Sequence, residues 1–326
     1  VSIIVPVYNR EEKIKRLIST VEKQTFKNWE LIIVDDGSVD GTLSVIKEAA
    51  FNDPRIVPIK NVNSKGPSGA RNTGLERASG KYIAYQDSDD EWIPSHLEIM
   101  VSYLEKYSDK IDIMSANALR KTENDGAVFK YDELDIEDIK ESILDDAFLL
   151  NPNLVFDKQL RDHVLTTQCI VGKSELLKIN KWNENLVAAE DNLHNLQVCA
   201  SKPKIAHIKN FHTVYWIHDD NITNAKGKHS PKKMEPIHKS FVEYWRNIRE
   251  TFPLTAEQLK YVQLNLASTL AWQLAYNTYE FEGRYLQAFV YYAKAIRIDP
   301  LNTKLYKSSL KCLVKQIFLF AKIKIK

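Results

Sequence analysis

Three carboxylates crowd into four positions at Asp87-Ser88-Asp89-Asp90. Acids this close repel one another unless a positive charge sits among them, so the cluster asks for a cation. Asp87 and Asp89, two residues apart on an extended or turning backbone, can converge on one divalent ion. Hard oxygen ligands of that kind suit Mg²⁺ or Mn²⁺ with a phosphate completing the shell. The same residues would equally serve as an acidic cap, with Asp90 or a neighbour closing a helix that has Pro94 in its first turn. Just before them, Tyr82-Ile83-Ala84-Tyr85 is rich in β-branched and aromatic side chains and reads as a buried strand. The acids therefore stand at a strand end.

Other strands are predicted over Val1 to Val7, Trp29 to Val34 and Arg55 to Ile59, each a short apolar run. Between them lie helical patterns. Asn9 followed by Glu12 has the spacing of a capping box, with Ile14, Leu17, Ile18 and Val21 behind it. Leu43, Ile46 and Ala50 mark a second helix, and Ala70, Leu75 and Ala78 a third that Gly80 stops. Strictly alternating strands and helices predict an α/β fold, a Rossmann-like, mainly parallel sheet with helices on both faces. Ligands of such sheets bind beyond the carboxyl ends of the strands. Polar residues collect there: Tyr8 and Asn9, then Asp35 and Asp36, then Asp87 and Asp89. Neither a GxGxxG nor a GxxxxGK[ST] motif is present in the sequence, which excludes the dinucleotide and P-loop versions.

Beyond the acids a helix is expected over Pro94 to Tyr107 and a strand over Ile111 to Ala116. Leu119 to Arg161 is acidic and poor in pattern, an acceptor-side flap or a plain solvated segment. A helix over Lys173 to Ile179, the pair Glu190-Asp191 ahead of a helix from Asn192 to Ala200, and a strand over Lys204 to Trp216 follow. From Pro231 the pattern turns wholly helical. The run from Ala271 to Pro300 fits one tetratricopeptide unit without a second copy, hence a packed hairpin rather than a solenoid. These readings divide the chain into an α/β region, 1–230, and a C-terminal helical region, 231–326. Its last helix sets Leu310, Leu313, Val314, Ile317, Phe318 and Phe320 among lysines, and from Leu301 to Lys326 there are seven lysines and no acid. That is the pattern of a basic amphipathic helix over 310–326 lying on an anionic membrane, and equally of a terminal helix docked on the hairpin with a solvated lysine face.

A formal net charge of +2 on 326 residues is too small for a nucleic-acid binder. Cys169, Cys199 and Cys312 stand far apart with no zinc spacing, which argues for reduced thiols. The opening Val1-Ser2-Ile3-Ile4-Val5 reads as a strand and not as a signal peptide, and no apolar run is long enough to span a bilayer. The expected location is cytoplasmic, with peripheral contact at the inner face of the membrane. Oligomeric state is not encoded in any pattern of this kind.

Several segments together resemble the family 2 glycosyltransferases, inverting enzymes of the GT-A fold that use nucleotide sugars. They are Ser2-Ile3-Ile4-Val5-Pro6-Val7-Tyr8-Asn9, Val34-Asp35-Asp36-Gly37-Ser38, Gly69-Ala70-Arg71-Asn72 with Gly74, Asp87-Ser88-Asp89-Asp90, Glu190-Asp191, and Tyr215-Trp216-Ile217-His218 with Asn221 and Thr223. The likeness covers roughly residues 1 to 225 and is silent on the helical region. It implies a nucleotide-sugar site formed by Pro6, Tyr8, Asn9, Asp36, Arg71 and Asp87. In it Tyr8 would lie against uracil, Asp36 would accept the uracil N3–H, and Arg71 would sit near the base or phosphates, or pair instead with Asp35 or Asp36. Asp89 would be the principal metal ligand, Asp87 would reach the ribose or the metal through water, and His218 would approach the metal or the diphosphate. Asp191 would be the catalytic base, with Glu190 orienting its loop or binding an acceptor hydroxyl. The implied activity is metal-dependent hexosyl or N-acetylhexosaminyl transfer from a UDP-sugar to a glycan or lipid-linked acceptor in bacterial surface-polysaccharide synthesis. Two rivals are a non-catalytic scaffold built on the tetratricopeptide-like hairpin and a sugar nucleotidyltransferase. The second would need a glycine-rich basic loop where Tyr8-Asn9-Arg10-Glu11-Glu12 stands.

Overall fold

A computed structural model of the chain describes residues 1–218 and 231–324. Asn221 and Thr223 therefore lie outside the described residues, as do the last two residues of the expected tail. The chain divides into two compact units. One comprises Val1–Glu184 and the stretch from Glu190 through β11, and the other Asn185–Ala189 and the helices from Pro231 onward.

The first unit opens with β1 (Ser2–Val7), α1 (Glu11–Glu22), β2 (Glu30–Asp35), α2 (Thr42–Asn52), β3 (Ile56–Lys60), α3 (Pro67–Arg77) and β4 (Tyr82–Tyr85). These four strands are parallel, in the order β3-β2-β1-β4. Side chains alternate between two cores. Ile3, Val5, Leu31 and Ile33 pack with Ile14, Leu17 and Val21 of α1 and Ile46 of α2. Ile4, Ile32, Val34, Ile83 and Tyr85 pack with Ala70 and Leu75 of α3 on the other side. Strands buried on both faces are what the uninterrupted apolar runs required.

Helix α3 is sunk into the unit, with every residue from Ser68 to Leu75 buried. Its glycines permit this. A Cβ on Gly74 would collide with Ile4 of β1, and one on Gly69 with the Ser64 carbonyl.

The sheet continues through β5 (Glu91–Trp92), β6 (Ile113–Thr122), β7 (Val128–Asp132), β8 (Lys140–Leu144), β9 (Ala147–Leu150), β10 (Ile170–Lys173) and β11 (Ile205–Ile217). It carries α4 (His96–Lys106), α5 (Val155–Asp162), α6 (Ser174–Ile179) and α7 (Glu190–Ala200). Strand β10 runs antiparallel between β4 and β6, and β11 lies parallel to β6.

Two sequence-based expectations change here. The segment from Leu119 to Arg161 is not a patternless flap: it holds the end of β6, the strands β7 to β9, and α5. Its strands β7 and β8 are mostly exposed, so no apolar alternation marks them. Asn9 makes no capping box either. Arg10 occupies the N-cap position of α1, while Asn9 adopts a left-handed backbone (φ 51°) and accepts a bond from Val39 N–H at 2.9 Å. A short polar side chain that bonds its surroundings is among the few that tolerate this conformation.

The second unit contains α8 (Pro231–Thr251), α9 (Ala256–Ser268), a π-helical stretch (Thr269–Glu280), α10 (Tyr285–Ile298) and α11 (Thr303–Lys324). Helix α9 begins with a complete capping box between Thr255 and Gln258. The π-helical stretch packs on α10, so the first arm of the expected hairpin is not an ordinary α-helix. Its winding shows in the bond from Phe281 N–H, at its C-terminal cap, to the Tyr276 carbonyl (3.2 Å), five residues apart.

Candidate active site

The loops after β1 and β2 are laced together. Asn9 N–H donates to Ser38 Oγ (3.0 Å), Arg10 N–H to Thr42 Oγ1 (2.7 Å), and Ser38 N–H to Asp35 Oδ1 (3.1 Å). Asp36 turns toward the third loop, accepting from Asn61 Nδ2 (2.6 Å) and Gly66 N–H (2.8 Å). It thereby ties the end of β2 to the start of α3. Pro6 lies inside β1, opposite Val34. Tyr8 projects at the rim, 42% exposed, with Lys65 Nζ 4.6 Å from its ring centre.

The three acids after β4 have three different partners. Arg71 Nη2 donates to Asp87 Oδ1 at 2.8 Å. Asp89 Oδ2 faces His218 Nε2 at 3.1 Å and Arg10 Nε at 3.7 Å, while its carbonyl accepts from Arg16. Asp90 is buried and accepts from Gln168 Nε2 and from Trp216 N–H, both at 2.7 Å. It ties the acidic turn to β11 rather than capping a helix.

Their protonation follows their surroundings. Burial and the neighbouring Asp89 and Asp87 push the Asp90 carboxyl well above its ordinary range. Burial also raises Asp87, against the pull of Arg71. Burial would raise Asp89 too, but the His218 bond and the Arg10 charge overcome it and hold it below the usual value.

Across the same mouth, α7 begins at Glu190. Arg71 Nη1 reaches Glu190 Oε1 at 3.4 Å, so one buried guanidinium joins α3, the acidic turn and α7. Its alternative partners, Asp35 and Asp36, are not the ones it takes. Burial works against the Arg71 charge, yet Asp87 and Glu190 keep it protonated. Burial and the adjacent Asp191 lift Glu190 to about 7, against Arg71. The Asp191 charge also acts on Arg71 and Asp87, so this acid belongs to the same cluster. Asp191 Oδ1 accepts from Asn192 N–H at 2.8 Å.

Beneath Arg71, the Trp182 ring lies 4.3 Å from the guanidinium carbon. Trp182 stacks on His194 at 4.0 Å, with Tyr85 edge-on at 5.2 Å. Sequence reasoning missed this platform, and it missed Arg10 as a partner of Asp89. Trp182 stands 111 positions after Arg71, and no local pattern links them. Arg10, however, follows Tyr8-Asn9 at the first strand end and was open to suspicion there.

Among the described residues, no group of three or more His, Cys, Asp or Glu side chains gathers to hold a metal on protein ligands alone. Asp89 and His218 are adjacent donors, whereas one Asp87 oxygen is already committed to Arg71. A donor pair of this kind fits Mg²⁺ or Mn²⁺ in the mode where substrate phosphates and water supply the remaining positions.

Loops carrying acids and a buried arginine gather at the carboxyl ends of the parallel strands, where α/β sheets bind their ligands, on a fold of the GT-A type. The comparisons agree. TarS 1–349 of S. aureus, solved in complex with UDP, superposes with a TM-score of 0.61 at 20% identity, covering 96% of this chain and 88% of that one. The mannosyltransferase PcManGT from Pyrobaculum calidifontis, solved with GDP-Man and Mn²⁺, superposes at 0.53 and 16% identity, covering 98% and 84%. Residues 2–133, about two fifths of the chain, match the model of the family described as glycosyl transferase family 2.

Among its relatives is the UDP-Glc:alpha-D-GlcNAc-diphosphoundecaprenol beta-1,3-glucosyltransferase WfgD of Escherichia coli, 50% identical over 106 residues, or 32% of this chain and 41% of that protein. The similarly described WfaP of Escherichia coli is 42% identical over 105 residues, again 32% and 41%. The matches thus span about two fifths of the length of these relatives.

Proposed function

We propose that the chain transfers a sugar from a UDP-sugar to a hydroxyl of a glycan or lipid-linked acceptor, with inversion, in the synthesis of a bacterial surface polysaccharide. The observation that carries this reading is the two-sided cluster. Asp89 with His218 stands on one side, Asp191 with Glu190 on the other, and Arg71 spans between them. The relatives' names, which specify a UDP-glucose donor and a GlcNAc-diphosphoundecaprenol acceptor, favour a hexosyl transfer of that kind.

In this reading the diphosphate of the donor lies against Asp89, His218 and Arg10. Tyr8 offers a flat face to the uracil at the rim. Asp36 has its carboxylate beside the same loops; each oxygen accepts one protein bond and retains a lone pair for the uracil N3–H. Arg71 holds Asp87 toward the ribose. Asp89 and His218 would hold Mn²⁺ or Mg²⁺, which as a Lewis acid neutralises charge on the departing UDP. Asp191 removes the acceptor proton as the acceptor oxygen attacks the anomeric carbon on the face opposite UDP, so that one displacement suffices. The cysteines are buried and unpaired, in keeping with a reducing, cytoplasmic compartment.

The test measures UDP release from UDP-glucose and UDP-GlcNAc with Mn²⁺, with chelator, and with a GlcNAc-diphospholipid acceptor. Asp89→Ala should lose metal-stimulated UDP release and bind UDP more weakly. Asp191→Asn should keep UDP affinity and lose roughly 10²–10⁴-fold in transfer. Undiminished release in excess chelator would remove the metal from the reaction, and unchanged turnover in Asp191→Asn would move the base elsewhere.

A further inference from the structure

Helix α11 carries a docked face, an apolar row and a set of lysines, and the apolar row is the part left exposed. Leu305, Ser309 and Cys312 are buried. On that side Lys315 Nζ donates to Glu280 Oε1 at 2.7 Å, and Gln316 Oε1 accepts from Leu286 N–H at 3.2 Å. Roughly a third of a turn away, at about 100° per residue, lies a second row. Leu310, Leu313, Val314, Ile317 and Phe318 follow the i, i+3, i+4, i+7, i+8 spacing of one helix face. All five are exposed, Leu310 by 62%, Ile317 by 59% and Phe318 by 66%. Along the Val314–Phe318 edge of this row stand Lys304, Lys307 and Lys311, also exposed, with Lys311 Nζ 3.7 Å from Glu280 Oε1. The two sequence-based alternatives for this helix thus do not compete: one face docks, and a different face is left apolar and open.

An uninterrupted apolar row costs solubility unless something covers it. Charge selects the cover. The row is bordered along one side by lysines, and from Leu301 to Lys326 the sequence has no acid. A second copy laid on the same row would bring two lysine flanks together with no carboxylate from either helix between them. A lipid surface with anionic headgroups satisfies both at once, taking the apolar row into the acyl boundary and pairing the lysines with phosphates. None of the described helices is long and apolar enough to cross a membrane, which leaves a surface-lying mode for this helix.

We propose that the Leu310–Phe318 row of α11, with Lys304, Lys307 and Lys311 beside it, seats this chain on an anionic lipid bilayer. This goes beyond the transfer reaction and is read without nucleotide, so its failure and that of the transfer reading are separate results. The experiment is co-sedimentation of the intact chain with vesicles of phosphatidylcholine alone or mixed with phosphatidylglycerol, with light scattering on the same samples. The chain should partition onto the phosphatidylglycerol vesicles and be released by high salt. Ile317→Glu with Phe318→Glu should partition about tenfold or more weakly while melting unchanged, since both side chains are exposed. Lys304→Gln with Lys307→Gln should likewise weaken partition and flatten its salt dependence. Wild-type protein left in the supernatant, or equal partition of the Ile317→Glu/Phe318→Glu variant, overturns the proposal. So does a wild-type dimer that this variant converts to monomer, because the row would then be a contact between copies.

Discussion

Arg71 is the residue on which the cluster turns, and Glu190 decides how much of it is available. The guanidinium is buried on Trp182 with Asp87 at 2.8 Å and Glu190 at 3.4 Å. Burial and Asp191 raise the Glu190 carboxyl to about 7, so its charge changes near neutral pH. Below that value Glu190 is neutral, and Arg71 keeps its direct pair with Asp87 and the more distant charge of Asp191. Above it a further negative charge stands in the cleft proposed to receive a diphosphate, and that charge opposes binding. UDP affinity should therefore fall as pH rises through about 7, and binding should in turn favour the protonated carboxyl. Glu190→Gln, which cannot ionise, should bind UDP at high pH as the wild type does at low pH, with a flatter profile. Calorimetric titration of UDP across this range checks it; a wild-type profile with no step near neutrality would show that Glu190 does not face the nucleotide.

At the scale of elements, the site depends on how closely α3 lies against β1, because that helix brings Arg71 to the ends of β1 and β4. Gly74 sets the approach, since a Cβ there would meet the Ile4 side chain. Gly74→Ala should destabilise the first unit by roughly 1–3 kcal/mol, the usual range for an overpacked core. Combined with Ile4→Ala, which deletes the opposing methyl groups, it should cost less than the sum of the two single changes. Urea unfolding of the four proteins tests this; strict additivity would mean that the helix shifts instead of clashing.

The same elements show which parts of the molecule a linear reading can reach. The first three helices and four strands were legible because each is a local pattern of apolar spacing, and the acidic turn was legible as a charge density. Strands β7 and β8 were not, because their side chains are mostly exposed and pairing alone defines them. Asn9 had capping-box spacing, but its tertiary bond to Val39 outweighs the local alternative. The partners of Arg71 lie 16 and 119 residues away, a separation that only the closed sheet bridges.

For the whole molecule, a net charge of +2 hides strongly paired acids, and the C-terminal unit holds a clear instance. Glu235 of α8 accepts from Lys239 and Arg284, both at 2.7 Å, and from Tyr279 Oη at 2.9 Å. The Lys239 bond foremost, then the Arg284 and Tyr279 bonds against a burial cost, lower its carboxyl from 4.5 to about 2. A carboxyl lowered on folding stabilises the fold fully above its unfolded value and loses that contribution as pH falls toward the folded one. The window is thus between 4.5 and about 2. Glu280 acts in the same direction: burial opposes its charge, but Lys315 and Cys312 bonds prevail and its carboxyl is lowered. Through Lys315 this second acid ties α11 to the π-helical stretch. Acid should therefore loosen the helices of the C-terminal unit, seen as early loss of amide protection in α10 and α11 as pH falls below about 4.5. Glu235→Gln should melt lower than wild type at neutral pH and converge with it in acid, because the protonated wild type has already lost these ion pairs. Parallel melting curves for the two proteins across the whole range would show that solvent screens the Glu235 pairs completely.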